Sequence, residues 1–155
     1  MMIKFSLVVS TYGRYAEVEN LLDSFLQQDC NINDFEVIII DQNDTINLEP
    51  LVNKFNEILN IVHYKTATKV LSKAKNKGID LARGDIITFP DDDCTFYPDT
   101  ISKANLFFLS HPNADVVYGR VFDDKKNRTS IRKNSKIEKK LNLLNYSLNY
   151  SAITC

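Results

Sequence analysis

The sequence has little cysteine, with only Cys30, Cys94 and Cys155 among its 155 residues. The odd count, the wide spacing and the lack of a Cys-x-x-Cys pair argue against a disulfide framework or a zinc site, and they favour a reducing cytosol. Long apolar runs are also missing, because none approaches the roughly 18 residues of a membrane-spanning helix. The apolar opening at residues 1–10 runs into Thr11 without a small-residue cleavage site, so we expect a first strand there and not a signal peptide.

Neither sign of charge is in excess, because 19 Lys and Arg stand against 20 Asp and Glu, a net charge of -1. The chain as a whole therefore has no bias toward nucleic acid. The sequence lacks a P-loop, a Gly-x-Gly-x-x-Gly loop and a Ser/His/Asp set. The missing glycine-rich loop argues against a dinucleotide-dependent oxidoreductase. Hydrophobic residues make up 44% of the chain, a proportion typical of one globular domain with a buried core.

Short apolar, β-branched runs alternate with amphipathic stretches over most of the chain. Such runs predict buried parallel strands, and apolar residues at helical spacing predict the helices between them. The alternation predicts an α/β fold with right-handed crossovers, in which ligands bind beyond the carboxyl ends of the strands. Strands are predicted at residues 3–10, 35–41, 61–64, 86–89 and 115–122, and helices around 18–26, 51–59, 71–82 and 98–110.

A few single residues refine the predicted helices. Pro50 is expected near the first turn of the second helix, where its missing N–H costs nothing. Gly84 is expected to end the third helix. Ile58 and Leu71 are predicted to lie on the core-facing stripes of the second and third helices.

Three consecutive aspartates, Asp91, Asp92 and Asp93, follow the fourth predicted strand, whose ladder Pro90 ends because it has no N–H. Adjacent carboxylates repel each other, and a hard divalent cation with oxygen ligands would relieve the repulsion. In extended geometry Asp91 and Asp93 would point the same way and could converge on a metal–diphosphate ligand. A solvated acidic turn that caps the next helix is the alternative.

Further polar residues follow the first two strands and line the third helix. Asp41 could accept hydrogen bonds from a base or ribose, or it could form an Asx-turn with Asn43. Tyr12 could stack on a base and Arg14 could contact phosphate, although an ordinary loop explains both equally well. Lys75 could reach a diphosphate, but a solvated helix face is the commoner explanation of any single lysine.

Taken in order, the segments SLVVSTYGR, FEVIIIDQND and VLSKAKNKGIDLARGDIITFPDDDCTFYP resemble the family 2 glycosyltransferases, an inverting family with the GT-A fold. The resemblance runs from about Phe5 to Phe122 and implies a Rossmann-like, mostly parallel sheet flanked by helices. It implies a nucleotide-sugar-binding core at 1–122 and the start of an acceptor-side region at 123–155.

The resemblance also implies a donor site for a nucleotide diphosphate-sugar, most often a UDP-sugar. By position, Thr11 and Tyr12 would line the base and ribose pocket, and Asp41 would hydrogen-bond the base. Asp91 would contact the ribose, and Asp93 would hold Mn²⁺ or Mg²⁺ between the two phosphates. The residues expected to bind substrate are Thr11, Tyr12, Arg14, Asp41, Lys75, Asp91 and Asp92, and the residue expected to bind metal is Asp93.

The implied reaction is metal-dependent, inverting transfer of a sugar to a saccharide or lipid-linked acceptor, as in polysaccharide synthesis, in the cytoplasm and at the inner face of the membrane. Such transfer needs a carboxylate as general base. The family carries this base beyond the fifth strand, where Glu138 is the sole acidic residue after Asp124. We therefore assign no catalytic base and expect a truncated chain. Two further departures are Val70 and Lys75, where the family usually has Gly and Arg.

Residues 120–140 are strongly basic, with nine Lys and Arg against three Asp and Glu, a local charge of 9 − 3 = +6. This segment is expected to be either a mobile acceptor loop that meets phosphate, an anionic sugar or a lipid headgroup, or a polar tail. Two alternatives to an active transferase also stand. One is an inactive nucleotide-binding fragment, and the other is a haloacid-dehalogenase-like phosphohydrolase with Asp91 as nucleophile.

Overall fold

The computed structural model describes residues 3–119, 122–123 and 128–129, and the chain divides into two units, Met1–Pro112 and Asn113–Cys155. In the second unit a short antiparallel pair joins β5 (Phe122–Asp123) to β6 (Arg128–Thr129). The first unit alternates parallel strands with α-helices: β1 (Phe5–Thr11), α1 (Ala16–Leu26), β2 (Phe35–Asp41), α2 (Glu49–Asn56), β3 (Ile61–Lys65), α3 (Leu71–Leu81), β4 (Ile86–Thr88) and α4 (Thr100–Ser110).

The sheet of the first unit has the strand order β3-β2-β1-β4, with every neighbouring pair parallel. Its central strands, β1 and β2, are buried along nearly their whole length, as near-continuous apolar runs predict for a sheet covered on both faces. Alternate residues face opposite layers. Leu7 and Ile39 join the larger core with α1, α2 and α4, whereas Val8 and Ile38 join a smaller core beneath α3.

The first four predicted strands and all four predicted helices are confirmed, with ends that differ by at most three residues. The predicted fifth strand at 115–122 is wrong over residues 115–119, which form no strand; residues 120–121 lie outside the described residues, and Phe122 opens β5. Val116 and Val117 are exposed, so this β-branched run lacks the burial that its composition suggests. The predicted division into 1–122 and 123–155 stays a prediction.

Two predictions about the core-facing stripes are wrong. Ile58 lies beyond the end of α2 and is 59% exposed, and Leu71 opens α3 with 55% exposure. The face of α3 that packs on the sheet instead carries small residues, Ala74 and Gly78, which let the helix approach β1 closely. Within the described ranges, no helix has the length and apolar character to cross a bilayer.

Gly84 has a different role from the predicted one. The third helix ends earlier, at Leu81. A Cβ atom at Gly84 would lie 2.7 Å from the carbonyl carbon of Phe5 and 2.8 Å from the backbone nitrogen of Ser6. Glycine is therefore needed there because the chain passes against the backbone of β1.

The amino ends of the strands are joined by an ion pair between the buried Glu36 and the largely exposed side chain of Arg83. Ser6 Oγ and the Arg83 backbone N–H each donate to Glu36 Oε1 over 2.7 Å, and Arg83 Nη2 lies 2.6 Å from Oε2. Burial by itself raises the pKa of Glu36. The hydrogen bonds from Ser6 and Arg83, together with the Arg83 charge, outweigh that effect, so the pKa of Glu36 lies below its usual value. The connection between α3 and β4 is thereby fastened to β1 and β2.

We predict that Gly84→Ala lowers the free energy of unfolding by about 1–3 kcal/mol, because the new methyl group overpacks against rigid backbone. Urea denaturation would measure the change. Gly119→Ala is the matched control, since a Cβ there meets nothing within 4 Å. Equal stability of the two variants would contradict the close approach at Gly84.

A second prediction concerns the dependence of stability on pH. The pKa of Glu36 is lowered in the folded state. Its ionised carboxylate therefore stabilises the fold above the usual glutamate pKa of about 4.3, and this stabilisation is lost as pH falls through the lowered pKa. In Glu36→Gln the free energy of unfolding should therefore decrease less steeply below about pH 4.3 than in the wild type. Denaturation at a series of pH values measures this, and Glu57→Gln, at an exposed site, should keep the wild-type slope.

Candidate functional site

The carboxyl ends of the central strands gather the residues singled out in the sequence. Thr11 and Asp41 end β1 and β2 and are paired in register. β4 runs parallel on the other side of β1, and the three aspartates follow it. The site thus lies at the edge of the sheet where open α/β folds bind ligands.

The acidic turn, Asp91–Asp93, is not extended. The backbone N–H of Cys94 donates to the carbonyl oxygen of Asp91 over 3.2 Å, which closes a turn at Asp92 and Asp93. The extended geometry that was assumed for Asp91 and Asp93 is therefore wrong. The turn brings Asp92 and Asp93 together instead.

Arg14 is the cation that these two aspartates share. Its Nη1 atom lies 3.2 Å from Asp92 Oδ1 and also forms an ion pair with Asp93 Oδ2. The bond to Asp93, more than any other contact, raises the pKa of Arg14. Arg14 therefore contacts carboxylates in this structure, whereas its predicted contact with phosphate stays a prediction.

One guanidinium does not fully compensate three carboxylates. Burial raises the pKa of Asp91; Lys75 opposes the shift, while the neighbouring carboxylates add to it. Burial also raises the pKa of Asp92, with Thr11 and Arg14 opposing and Asp93 adding. Burial thus disfavours the charged forms of Asp91 and Asp92, and the nearby positive charges do not offset it.

Thr11 contributes a buried hydroxyl beside this turn. It is close enough to Asp92 to favour the charged form and lower the pKa of that carboxyl. Within the described part of the chain, however, its Oγ1 atom has no well-aligned hydrogen-bond partner. A buried hydroxyl oxygen beside two carboxylates is the kind of oxygen ligand that a hard divalent cation takes.

Asp41 is fully buried and bonded within the protein. Its Oδ1 accepts the backbone N–H and the side-chain amide of Asn43, over 2.9 and 2.8 Å, which is the Asx-turn considered as an alternative. Its Oδ2 lies 3.1 Å from His63 Nε2. A direct bond from Asp41 to a base stays a prediction. Sequence reasoning missed the role of His63, because the register between β2 and β3 is not visible in the sequence.

Asn43, held by Asp41, also holds the loop after β1. Its Oδ1 accepts the backbone N–H of Gly13 over 2.6 Å. Gly13 has a φ of +74°, a left-handed conformation that other residues rarely adopt. The chain therefore turns sharply between Tyr12 and Arg14, with Tyr12 58% exposed and Arg14 directed at the acidic turn.

Lys69 is a second residue that sequence reasoning missed. Its Nζ atom lies 2.8 Å from Asp44 Oδ1, donates to the carbonyl oxygen of Gln42, and sits 4.6 Å from the centre of the Tyr12 ring. The cation thus holds the exposed ring of Tyr12 against the loop after β2. Lys75, by comparison, lies 5.5 Å from the centre of the Phe89 ring.

An open pocket of about 290 Å³ lies beyond the ends of β2 and β3. Its size is near the lower limit of small-molecule sites. Backbone groups and a lysine offer both donors and acceptors of hydrogen bonds. The lining residues are Asn43, Asp44, Lys65, Thr66 and Ala67.

The acidic turn can hold a metal ion only with help from a ligand. Among the residues that the structure describes, no three His, Cys, Asp or Glu side chains converge as a preformed metal site. Mg²⁺ commonly binds one or two carboxylates and takes its remaining oxygens from substrate phosphates and water. Asp92 and Asp93, with Thr11 beside them, fit that mode of binding.

Sequence comparison matches residues 6–154 to the family described as Glycosyl transferase family 2. A PGL/p-HBAD biosynthesis glycosyltransferase of Mycobacterium tuberculosis (strain ATCC 25177 / H37Ra) is 33% identical over 121 residues, which are 76% of this chain and 46% of the relative. The poly(ribitol-phosphate) beta-N-acetylglucosaminyltransferase TarS of Staphylococcus aureus is 30% identical over 118 residues, 75% of this chain and 20% of TarS. The chain thus spans less than half the length of these relatives.

Solved structures show the same architecture. The crystal structure of S. aureus TarS 1-349 in complex with UDP-GlcNAc matches with a TM-score of 0.67 and 26% identity, over 79% of this chain and 39% of that one. The mannosyltransferase PcManGT from Pyrobaculum calidifontis, in complex with GDP-Man and Mn²⁺, has a TM-score of 0.61 at 22% identity, over 79% and 35% of the two chains, and shows likeness of fold. The predicted GT-A fold is confirmed.

We predict that Asn43→Ala loosens the loop after β1, because the Gly13 N–H loses its partner and Asp41 Oδ1 keeps only one of its two hydrogen bonds. The free energy of unfolding should fall by about 1–3 kcal/mol, the cost of leaving buried polar groups unpaired. Hydrogen exchange should accelerate at residues 12–14. Asn33→Ala is the control, because its side chain bonds only at an exposed turn; unchanged exchange in Asn43→Ala would contradict the proposed link.

Proposed function

Because the chain belongs to the family 2 glycosyltransferases, we propose that it forms the donor-binding part of an enzyme that transfers a sugar from a nucleotide diphosphate-sugar. The observation that carries this proposal is the meeting of Thr11, Arg14 and the acidic turn at one edge of a GT-A sheet. A UDP-sugar is the proposed donor class, since TarS is a relative of 26% identity that has been seen with UDP-GlcNAc.

The base would bind on the side of β2 and β3, with the ribose between it and Asp91. Tyr12 offers an exposed ring for stacking on a base. Lys69 restrains that ring, and the Asp41–Asn43 bonds hold the loop that carries it. In this proposal Asp41 has two roles. It contacts the base directly, and through Asn43 and Gly13 it holds the loop that places the Tyr12 ring against the base.

The diphosphate would lie between the pocket and the acidic turn. We propose that Mn²⁺ or Mg²⁺ binds Asp93, with Asp92 beside it and phosphate oxygens completing the coordination. A cation bound there would neutralise the negative charge that develops on the departing diphosphate. Lys75, which is close enough to lower the pKa of Asp91, would add a second positive charge on the same side.

We propose the acceptor side of the reaction from family membership alone. An acceptor hydroxyl, on a saccharide or a lipid-linked saccharide, would attack the anomeric carbon and invert it, with the cytoplasmic face of the membrane as the proposed location. We propose no general base: Glu138 lies outside the described residues, as does most of the basic segment 120–140. The family membership favours sugar transfer over the phosphohydrolase alternative with Asp91 as nucleophile.

Calorimetric titration with UDP tests the donor site. We expect binding to strengthen at least about tenfold when Mn²⁺ is added, a difference of about 1.4 kcal/mol. Asp93→Ala should abolish that gain because it removes a metal ligand. Asp99→Ala, whose exposed carboxylate pairs with Lys103, is the control and should keep it.

Failure of the wild-type protein to bind UDP, with or without Mn²⁺, would overturn the proposed donor site. Where UDP binds, incubation with UDP-GlcNAc separates an active enzyme from the alternative of an inactive nucleotide-binding fragment. Release of UDP, by hydrolysis or by transfer to an acceptor, would identify an enzyme. Binding without any release would identify the fragment.

A further inference from the structure

Arg14 occupies the place at the acidic turn that a metal ion would need. Its Nη1 atom lies within ion-pair distance of Asp92 and Asp93 together. These are the two carboxylates that the proposed donor site assigns to a divalent cation. A guanidinium and a divalent cation repel each other at such short range, so the two compete for these carboxylates.

Arg14 meets both carboxylates of the turn through one atom, Nη1, so it does not present its two-nitrogen fork to either of them. Arginine gains its advantage over other cations from aligned, forked bonds to a carboxylate. A spherical cation has no such requirement and can replace the guanidinium here.

The side chain of Arg14 is also free to leave without disturbing the fold. It is 37% exposed, and its loop is anchored one residue earlier, where Gly13 donates to Asn43. Displacement of the guanidinium therefore breaks two ion pairs whose side chains are between 14% and 37% exposed.

We propose that Arg14 is an internal counter-ion that the divalent cation must displace, and that the displaced guanidinium then pairs with the donor diphosphate. This inference rests on the proposed donor site. The cation binds weakly alone, because it competes with Arg14. It binds more tightly once a diphosphate draws Arg14 away, so the cation and the nucleotide strengthen each other by the same factor.

Titration with Mn²⁺ alone, without nucleotide, tests the competition directly. Arg14→Gln should bind Mn²⁺ about three- to tenfold more tightly than the wild type, the effect of removing a partly exposed competing charge. Lys103→Gln is the matched control, because it removes one positive charge from an exposed ion pair away from the turn. It should bind Mn²⁺ like the wild type, and Arg14→Lys, which keeps the charge, should also stay near the wild type.

Titration with UDP and Mn²⁺ together tests the exchange. In the wild type, UDP should tighten Mn²⁺ binding, whereas in Arg14→Gln this gain should be smaller and UDP itself should bind more weakly. Thermal melting would verify that the variant is folded, and Arg14→Met serves as a second neutral variant. A neutral variant that binds Mn²⁺ alone no better than the wild type overturns the inference while leaving the donor site intact. Absence of UDP binding to the wild type overturns the donor site, and the Mn²⁺ titration still decides the role of Arg14.

Discussion

Parallel pairing of β1 with β2 along their whole length, from Phe5 with Phe35 to Thr11 with Asp41, sets the position of everything at the site. Because both strands end at the same level, the loops that follow them begin side by side. Asn43 in one loop can then hold Gly13 in the other. A shift of one residue would turn each buried side chain to the other face of the sheet and separate these loops.

The two ends of the sheet balance charge in opposite ways. At the amino ends, Glu36 is buried and every described contact favours its charged form: a hydroxyl, a backbone N–H and a guanidinium. At the carboxyl ends, the acidic turn has one shared guanidinium for two of its carboxylates. The first arrangement needs nothing further and stabilises the fold. The second is complete only when more positive charge arrives, which suits a site that binds and releases a ligand.

Much of the fold could be predicted from the sequence, because the central strands are apolar on both faces and leave little choice of structure. The strand at 35–41 has the predicted limits for this reason. The prediction failed at 115–119, where β-branched residues occur without burial. Local composition does not tell whether a neighbouring strand is present, so a run of this kind can be predicted as a strand and still remain a loop.

For the site, the sequence could predict which residue types gather at the strand ends but not how they pair. The roles of His63 and Lys69 depend on contacts over 22 and 27 residues, which no local pattern encodes. The expected geometry of the acidic turn was wrong because one backbone hydrogen bond, from Cys94 to Asp91, bends the chain.

Gly13 is limited by its torsion angle and not by the space around it, since a Cβ there would meet no atom within 4 Å. Side chains that tolerate a left-handed backbone, chiefly asparagine and aspartate, are therefore the compatible replacements, whereas β-branched side chains are excluded. An aspartate at this position would place a new negative charge next to Arg14, where it would compete with Asp92 and Asp93 for the guanidinium. Among variants of this protein, asparagine should thus be the substitution that evolution can accept at this bend.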